Sequence, residues 1–233
     1  QQIVAHPAHE IAPIVARVSD AGLSAESVRG NGHPNSARYR LPLLRRVSPP
    51  VPDDVASDLV LDPAIVPTGT TPIFSTASAR QILLTGTTGF LGAYLLDELL
   101  RRTEAKIVCL VRASDEASGR RRLMNNLKRY SLTPPDLADR VRIVVGDFSK
   151  PAFGLSDESY QQLAADIDVI YHNGADFNLA LAYGSLRATN VGGVIEALKL
   201  AVATRTKPVH LVSTFAVHTT ADNRGQLVTE DDP

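Results

Sequence analysis

From Arg80 onward the apolar positions change period at regular intervals. QILLT (Gln81–Thr85) is short and almost wholly apolar, as a strand buried on both faces must be. In the FLGAYLLDELLRR that follows, Phe90, Leu91, Tyr94, Leu95 and Leu99 recur at helical spacing. Arg101 and Arg102 close that run where cations suit a helix C-terminus. The alternation then repeats. KIVCLVR (106–112) predicts a second strand, and Ser114 is the expected N-cap of a helix through ASGRRRLMNNLKRY. VRIVVGDF (141–148) predicts a third strand, followed by a helix in LSDESYQQLAADI capped by Ser156. DVIYHNGA (168–175) predicts a fourth strand with its loop, 186–202 a longer helix, and PVHLVSTFAVH (208–218) a fifth strand. This succession predicts an α/β fold of Rossmann type: a doubly wound parallel sheet covered by helices on both faces. Ligands of such sheets bind beyond the C-terminal ends of the strands.

Residues 1–78 follow no such rhythm. IVAHPAHEIAPIVARV has the spacing of a short amphipathic helix, and GNGHPNSARYRLPLLRRVSPPVPDD is the turn- and proline-rich stretch of a linker. VASDLVLDPAIVPTG fits either an extended arm or a short helix. The expected division is therefore a linker or N-terminal extension over 1–78 and the Rossmann-type domain over 79–233.

Bulk properties narrow the classes. The chain has 233 residues, 44% hydrophobic and 21% charged, as in ordinary globular domains. A net charge of −1 argues against a nucleic-acid surface. No apolar run is long enough to span a bilayer, and no secretory signal pattern is present. The single cysteine, Cys109, lies in an apolar run, which suits a buried hydrophobe in a reducing cytoplasmic setting better than a nucleophile. The chain starts at Gln1 and its one methionine is Met124, as expected of a piece of a longer polypeptide.

The chemistry concentrates at the predicted strand ends. Gly86, Gly89 and Gly92 space the first strand-to-helix turn as G-x-x-G-x-x-G, with Thr87, Thr88, Phe90 and Leu91 between them. Glycine there permits a tight turn, close approach of a pyrophosphate and tight helix packing, and the helix N-terminus supplies free N–H groups. An acidic residue about 20 positions further on would hold a ribose 2′-hydroxyl. Arg112 stands there instead, and a guanidinium grips a 2′-phosphate, which points to NADPH. Asp115 and Glu116 nearby are the alternative ribose ligands. Of Arg120, Arg121 and Arg122 on the next helix, one is expected to close over the phosphate, and Arg122 is the candidate. Asp147, with Phe148 beside it, falls where a side chain meets the adenine edge, although a turn role is its simpler use. Asn173, Gly174 and Ala175 are small enough to let backbone lie against the cofactor. His172, His6 and His9 lack the spacing of metal ligands.

The segments TGTTGFLG, CLVRASDEASGRRRL, VVGDFSKPAFGLSDESYQQLAADIDVIYHNGADFN, LRATNVGG and LVSTFAV, in that order, resemble the thioester reductase domains. Those are extended short-chain dehydrogenase/reductases at the ends of nonribosomal peptide synthetases, polyketide synthases and carboxylic acid reductases. Fatty acyl reductases share part of the pattern. The resemblance implies reduction by NADPH of an acyl or peptidyl thioester held on the phosphopantetheine arm of an upstream carrier domain. Hydride reaches the thioester carbonyl and an aldehyde is released, in some members reduced again to an alcohol. By position Thr214 matches the catalytic Thr/Ser, a hydrogen-bond donor to the carbonyl oxygen as charge develops. Ser213 stands beside it at the cofactor edge, with local backbone satisfaction as its plainer role. Asn190 matches a helix asparagine that organises the site. The family's Y-x-x-x-K is not found here; the nearest look-alike, Tyr183–Arg187, is misplaced, and the tyrosine, lysine and substrate subdomain are expected beyond Pro233. Relatives that lack the tyrosine close a ring by Dieckmann condensation without redox, and that alternative stays open. A sugar-nucleotide epimerase is disfavoured by Arg112. The resemblance also implies a monomeric domain within a multidomain synthetase, with no nucleic-acid or membrane partner.

Overall fold

β1 (Gln81–Thr85), β2 (Lys106–Val111), β3 (Val141–Val145), β4 (Val169–His172) and β5 (Val209–Leu211) pair in parallel in the order β3-β2-β1-β4-β5. This is a computed structural model, and it describes residues 53–67, 76–178 and 180–214. The registers place Thr85 beside Leu110, Val111 beside Val145, and His172 beside Leu211, so all five strands end along one edge. The chain leaves β3 at one side and returns past β1 to β4, which opens the switch-point crevice next to β1.

The connecting helices are α1 (Phe90–Arg102), α2 (Glu116–Arg129), the single turn α3 (Leu137–Arg140), α4 (Asp157–Asp166), α5 (Tyr183–Arg187) and α6 (Gly193–Val202). One apolar cluster joins Leu83, Val108, Leu110 and Ile170 to Leu163 of α4 and Leu200 of α6. Ile82, Leu84, Ile107 and Cys109 alternate with them, face the other side and are fully buried. Both faces of the sheet are thus covered, which is why its strands carry so few polar residues. Burial pushes the Cys109 thiol up to about 12, so it is a packing residue and not a nucleophile.

Several boundaries differ from expectation for local reasons. Strand three stops at Val145: Gly146 N still donates to Val111 O at 3.1 Å, but Asp147 N turns to Phe153 O at 2.7 Å. Strand two likewise ends before Arg112. Asp115, not Ser114, caps α2: its carboxylate accepts from Ser118 N at 2.7 Å, and its own N–H donates to Ser118 Oγ at 3.2 Å. Ser114 instead donates its hydroxyl to Asp115 at 2.8 Å. Ser156 does cap α4. The helix expected over 186–202 is α5 and α6 joined by a π turn at Ala188–Gly192. Pro63–Pro233 forms one compact unit, and Gln1–Asp62 another. In the latter a helical turn at Asp53–Ala56 and a 3₁₀ turn at Ser57–Leu59 reach only the first residues of the segment expected as an extended arm or a short helix; residues 60–67 are not helical. Strand five also ends early, at Leu211, with 212–214 outside it. The amphipathic helix and most of the linker expected before residue 53, and positions 215–218 of the expected fifth strand, lie outside the described residues. Among the described residues no helix is long and apolar enough to cross a membrane.

Asp168 locks the start of the sheet. Fully buried, it accepts from Arg80 N at 2.8 Å and Gln81 N at 3.1 Å, and pairs with Arg205 at 2.6 Å. Asp168→Ala would strand these donors and is expected to cost about 3 kcal/mol in a denaturant titration. Asp168→Asn, which keeps one acceptor oxygen, should lose clearly less.

Candidate nucleotide-binding site

The crevice floor is the β1–α1 turn. Gly86 adopts a φ of +72°, and a Cβ there would lie 2.9 Å from the carbonyl carbon and oxygen of Asn173. β1 can turn against the end of β4 only without a side chain. Gly92 is tighter still: its Cβ would sit 2.0 Å from Gly86 O. Gly89 donates to Gly86 O at 3.0 Å, and a Cβ on it meets nothing closer than 3.3 Å. Gly86 and Gly92 therefore serve packing, and Gly89 is the least crowded of the three. The amides of Thr88, Phe90, Leu91 and Gly92 have no backbone acceptor among the described residues. A rank of unpaired N–H groups at the N-terminus of a 13-residue helix fits the phosphates of a dinucleotide. Thr87 is buried under the loop. The Phe90 ring turns to the side, edge-on to Tyr94 and Tyr130 at 5.2 Å each.

One contact to this loop has no counterpart in the sequence motifs. Asn126, from α2, donates its side-chain amide to Thr87 O at 3.1 Å and to Gly89 O at 2.9 Å. Its only sequence signal is a polar residue next to Leu127 on the helix stripe, which is indistinguishable from an ordinary solvated side chain.

Beyond β2, Arg112, Asp147, Lys150, Phe153 and Gly154 line a cleft of ≈ 250 Å³. Arg112 is exposed there, and Arg122 donates to its carbonyl oxygen, so these two arginines come together. Arg120 is drawn away to Val141 O at the opposite end of the sheet, at 2.9 Å. Asp115 spends its carboxylate on the α2 cap, which removes one of the two acidic alternatives to Arg112; Glu116 is exposed in the first turn of α2. Asp147 is partly committed as well, accepting from Ser149 N at 3.0 Å and Ser149 Oγ at 2.7 Å. Burial opposes its ionisation, but these bonds together with Arg112 and Lys150 hold its carboxyl below the usual range. Lys150 carries no signal of its own in the sequence, because its place in the cleft depends on the turn that carries Asp147.

At the ends of β4 and β5, Thr85 Oγ1 accepts from Asn173 N at 3.1 Å and Gly174 N at 2.9 Å. Its one proton is left for His172 Nδ1 at 3.1 Å. The imidazole is therefore protonated on Nε2. Burial lowers its pKa to about 4, so it is a neutral brace at physiological pH. Gly174 is also small for a packing reason. The Phe148 ring stands 2.6 Å from where its Cβ would be and also crowds Gly193, at 2.9 Å. Phe148 thus fills the space over Gly174, and its ring meets His172 edge-on at 5.6 Å. Ala175 is exposed just beyond. Asn190, within the π turn, closes a paired hydrogen bond with the backbone of Asp176, accepting at 2.8 Å and donating at 2.9 Å. It holds the loop after β4 and does not reach the glycine turn through these bonds. Ser213 and Thr214 follow β5 on the same edge, both exposed, anchored by Val212 N donating to His172 O at 3.0 Å.

Residues 84–231 match the NAD-binding family model described as male sterility protein. The chain belongs to this NAD-binding family. Within it, a linear gramicidin synthase of Brevibacillus parabrevis is 46% identical over 170 residues, covering 72% of this chain and 3% of the synthase. The crystal structure of the terminal reductase domain from the myxalamid polyketide–peptide pathway superposes with a TM-score of 0.64 at 47% identity, covering 70% of this chain and 42% of that one. A thiolation–reductase di-domain from an archaeal nonribosomal peptide synthetase gives 0.53 at 29% identity, over 60% of this chain and 37% of that one. The kinship with synthetase reductase domains expected from the motifs is met. The chain spans a small fraction of the synthetase and under half of the solved reductase domains.

Proposed function

We propose that this chain is the NADPH-binding part of a domain that reductively releases a carrier-bound acyl or peptidyl thioester. The observation that carries the reading is the arrangement along one sheet edge. An amide-lined glycine turn follows β1, Arg112 follows β2 with Arg122 donating to its carbonyl oxygen, and a hydroxyl follows β5. On this reading Gly86–Gly92 hold the pyrophosphate, Arg112 and Arg122 take the 2′-phosphate, and Asp147 and Lys150 border the adenine end. Asn173, Gly174 and Ala175 border the nicotinamide half, with Asn190 holding their loop. Thr214 hydrogen-bonds the substrate carbonyl oxygen as it gains charge. The reduced nicotinamide, when bound, supplies hydride. Residues 1–78 form the connection from a preceding carrier domain, a reading supported by the thiolation–reductase architecture of the archaeal relative.

The test is an acyl-pantetheine thioester and NADPH given to the whole polypeptide, with NADPH absorbance and released product followed together. Matched NADPH loss and aldehyde or alcohol is expected. Product without NADPH loss would replace the reading by a non-redox release cyclase. Arg112→Ala is expected to raise the Kd for NADPH about 10- to 100-fold while changing that for NADH by less than about threefold. Equal losses for both would remove Arg112 from the 2′-phosphate.

A further inference from the structure

We propose that Asn126 is the positioning residue of the phosphate-binding turn: it holds the carbonyls of Thr87 and Gly89 back so that the N–H groups of Thr88 and Phe90 face the pyrophosphate. The proposal rests on the dinucleotide reading above.

Peptide geometry sets the constraint. No peptide bond in the described residues is cis. In a trans peptide the C=O and the following N–H point in opposite directions. Asn126 draws Thr87 O and Gly89 O towards α2, at 3.1 and 2.9 Å. The amides of Thr88 and Phe90, the other ends of the same two peptides, must then point away from α2. Gly86 O is turned inward as well, engaged by Gly89 N at 3.0 Å. The carbonyls of Gly86, Thr87 and Gly89 are thus engaged within the fold, and the unpaired amides of Thr88 and Phe90 are set on the side away from α2. Had either peptide flipped, a carbonyl oxygen would face the phosphates and repel them. A glycine-rich turn has little intrinsic resistance to such a flip. The restraint comes from outside the turn.

Asparagine suits the task. Its amide offers two N–H donors, one for each carbonyl, and both neighbours are acceptors, so the nitrogen must face them. Its helix is anchored by Leu123 and Leu127, at 1% and 2% exposure, so the amide is presented from a fixed support. Aspartate has the same shape but no proton to give, and would put a negative charge beside the phosphates.

The experiment measures calorimetric binding of three ligands to the whole polypeptide: NADP⁺, adenosine 2′,5′-bisphosphate, and adenosine 2′-monophosphate, which lacks the 5′-phosphate. Asn126→Ala is expected to weaken the first two about tenfold, and Asn126→Asp more, while 2′-monophosphate binding stays within about twofold. Asn126→Gln, which restores a donor amide, should recover part of the loss. In turnover assays KM for NADPH should rise with kcat at saturation held. The proposal is overturned if Asn126→Ala and Asn126→Asp bind NADP⁺ like the wild type, or if all three ligands weaken equally, as a general loosening of α2 would produce. A wild-type protein that binds none of the three overturns the dinucleotide reading itself, and this proposal with it.

Discussion

Gly92→Ala is expected to abolish dinucleotide binding and to destabilise the fold by about 3 kcal/mol or more. The reason is the 2.0 Å approach of an added Cβ to Gly86 O, a backbone atom that cannot rotate out of the way. Relief would require α1 to lift off the turn, and α1 carries Leu95, Leu96 and Leu99 into the core. Both consequences follow from one displacement. The loop loses its amide face, and the apolar contacts of α1 are strained. Gly89→Ala provides the contrast. Its φ of −96° and ψ of 177° are open to alanine, and the nearest atom is 3.3 Å from the new Cβ. Stability should fall by less than about 1 kcal/mol, while the methyl group intrudes on the phosphate side and weakens NADP⁺ binding. Thermal unfolding of both variants, paired with NADP⁺ titration, checks the difference. A Gly92→Ala protein as stable as the wild type would show that the third glycine does not pack as described.

Thr214→Val is expected to lower kcat about 100-fold with cofactor affinity nearly kept. The substitution is isosteric and removes only the hydroxyl, and the position is exposed beyond β5, so no packing loss is expected. A hydrogen bond that strengthens as charge develops on the carbonyl oxygen contributes to the transition state more than to binding. The diagnostic pattern is therefore a fall in kcat, with NADPH Kd unchanged. Thr214→Ser, which retains the donor, should recover most of the rate. Unchanged turnover in the valine variant would take Thr214 out of the chemistry, and equal losses in binding and turnover would make it a structural residue.

The chain's local patterns carry far. β1 and α1 occupy the predicted Gln81–Thr85 and Phe90–Arg102, because an apolar run, a glycine turn and a helical stripe are each short-range signals. Strand ends are harder. The apolar pattern runs strand three on to Phe148, but a backbone bond from Asp147 to Phe153 O ends it earlier, and the partner of that bond is invisible to a local pattern. The cap of α2 moves by one residue because Asp115 and Ser118 answer each other, whereas Ser114 finds only Asp115 and Ser118 side chains. Arg120, Arg121 and Arg122 are equivalent by composition. The fold separates them, sending Arg120 to Val141 and Arg122 to Arg112.

The α/β class, the strand–helix succession, the glycine spacing and an arginine just after the second strand are all legible in the chain alone. All of these are set within a window of about one strand and one helix. The tertiary structure decided which distant side chains meet those elements. Asn126 reaches a turn 37 to 39 positions away, and Asn190 grips backbone 14 positions back. Phe148 crowds Gly193, and also Gly174, where the sequence suggested room for a cofactor. The physical reason is that short-range preferences choose helix, strand and turn. The pairing of buried polar groups and the filling of space between elements exist only once the sheet order has brought those elements together.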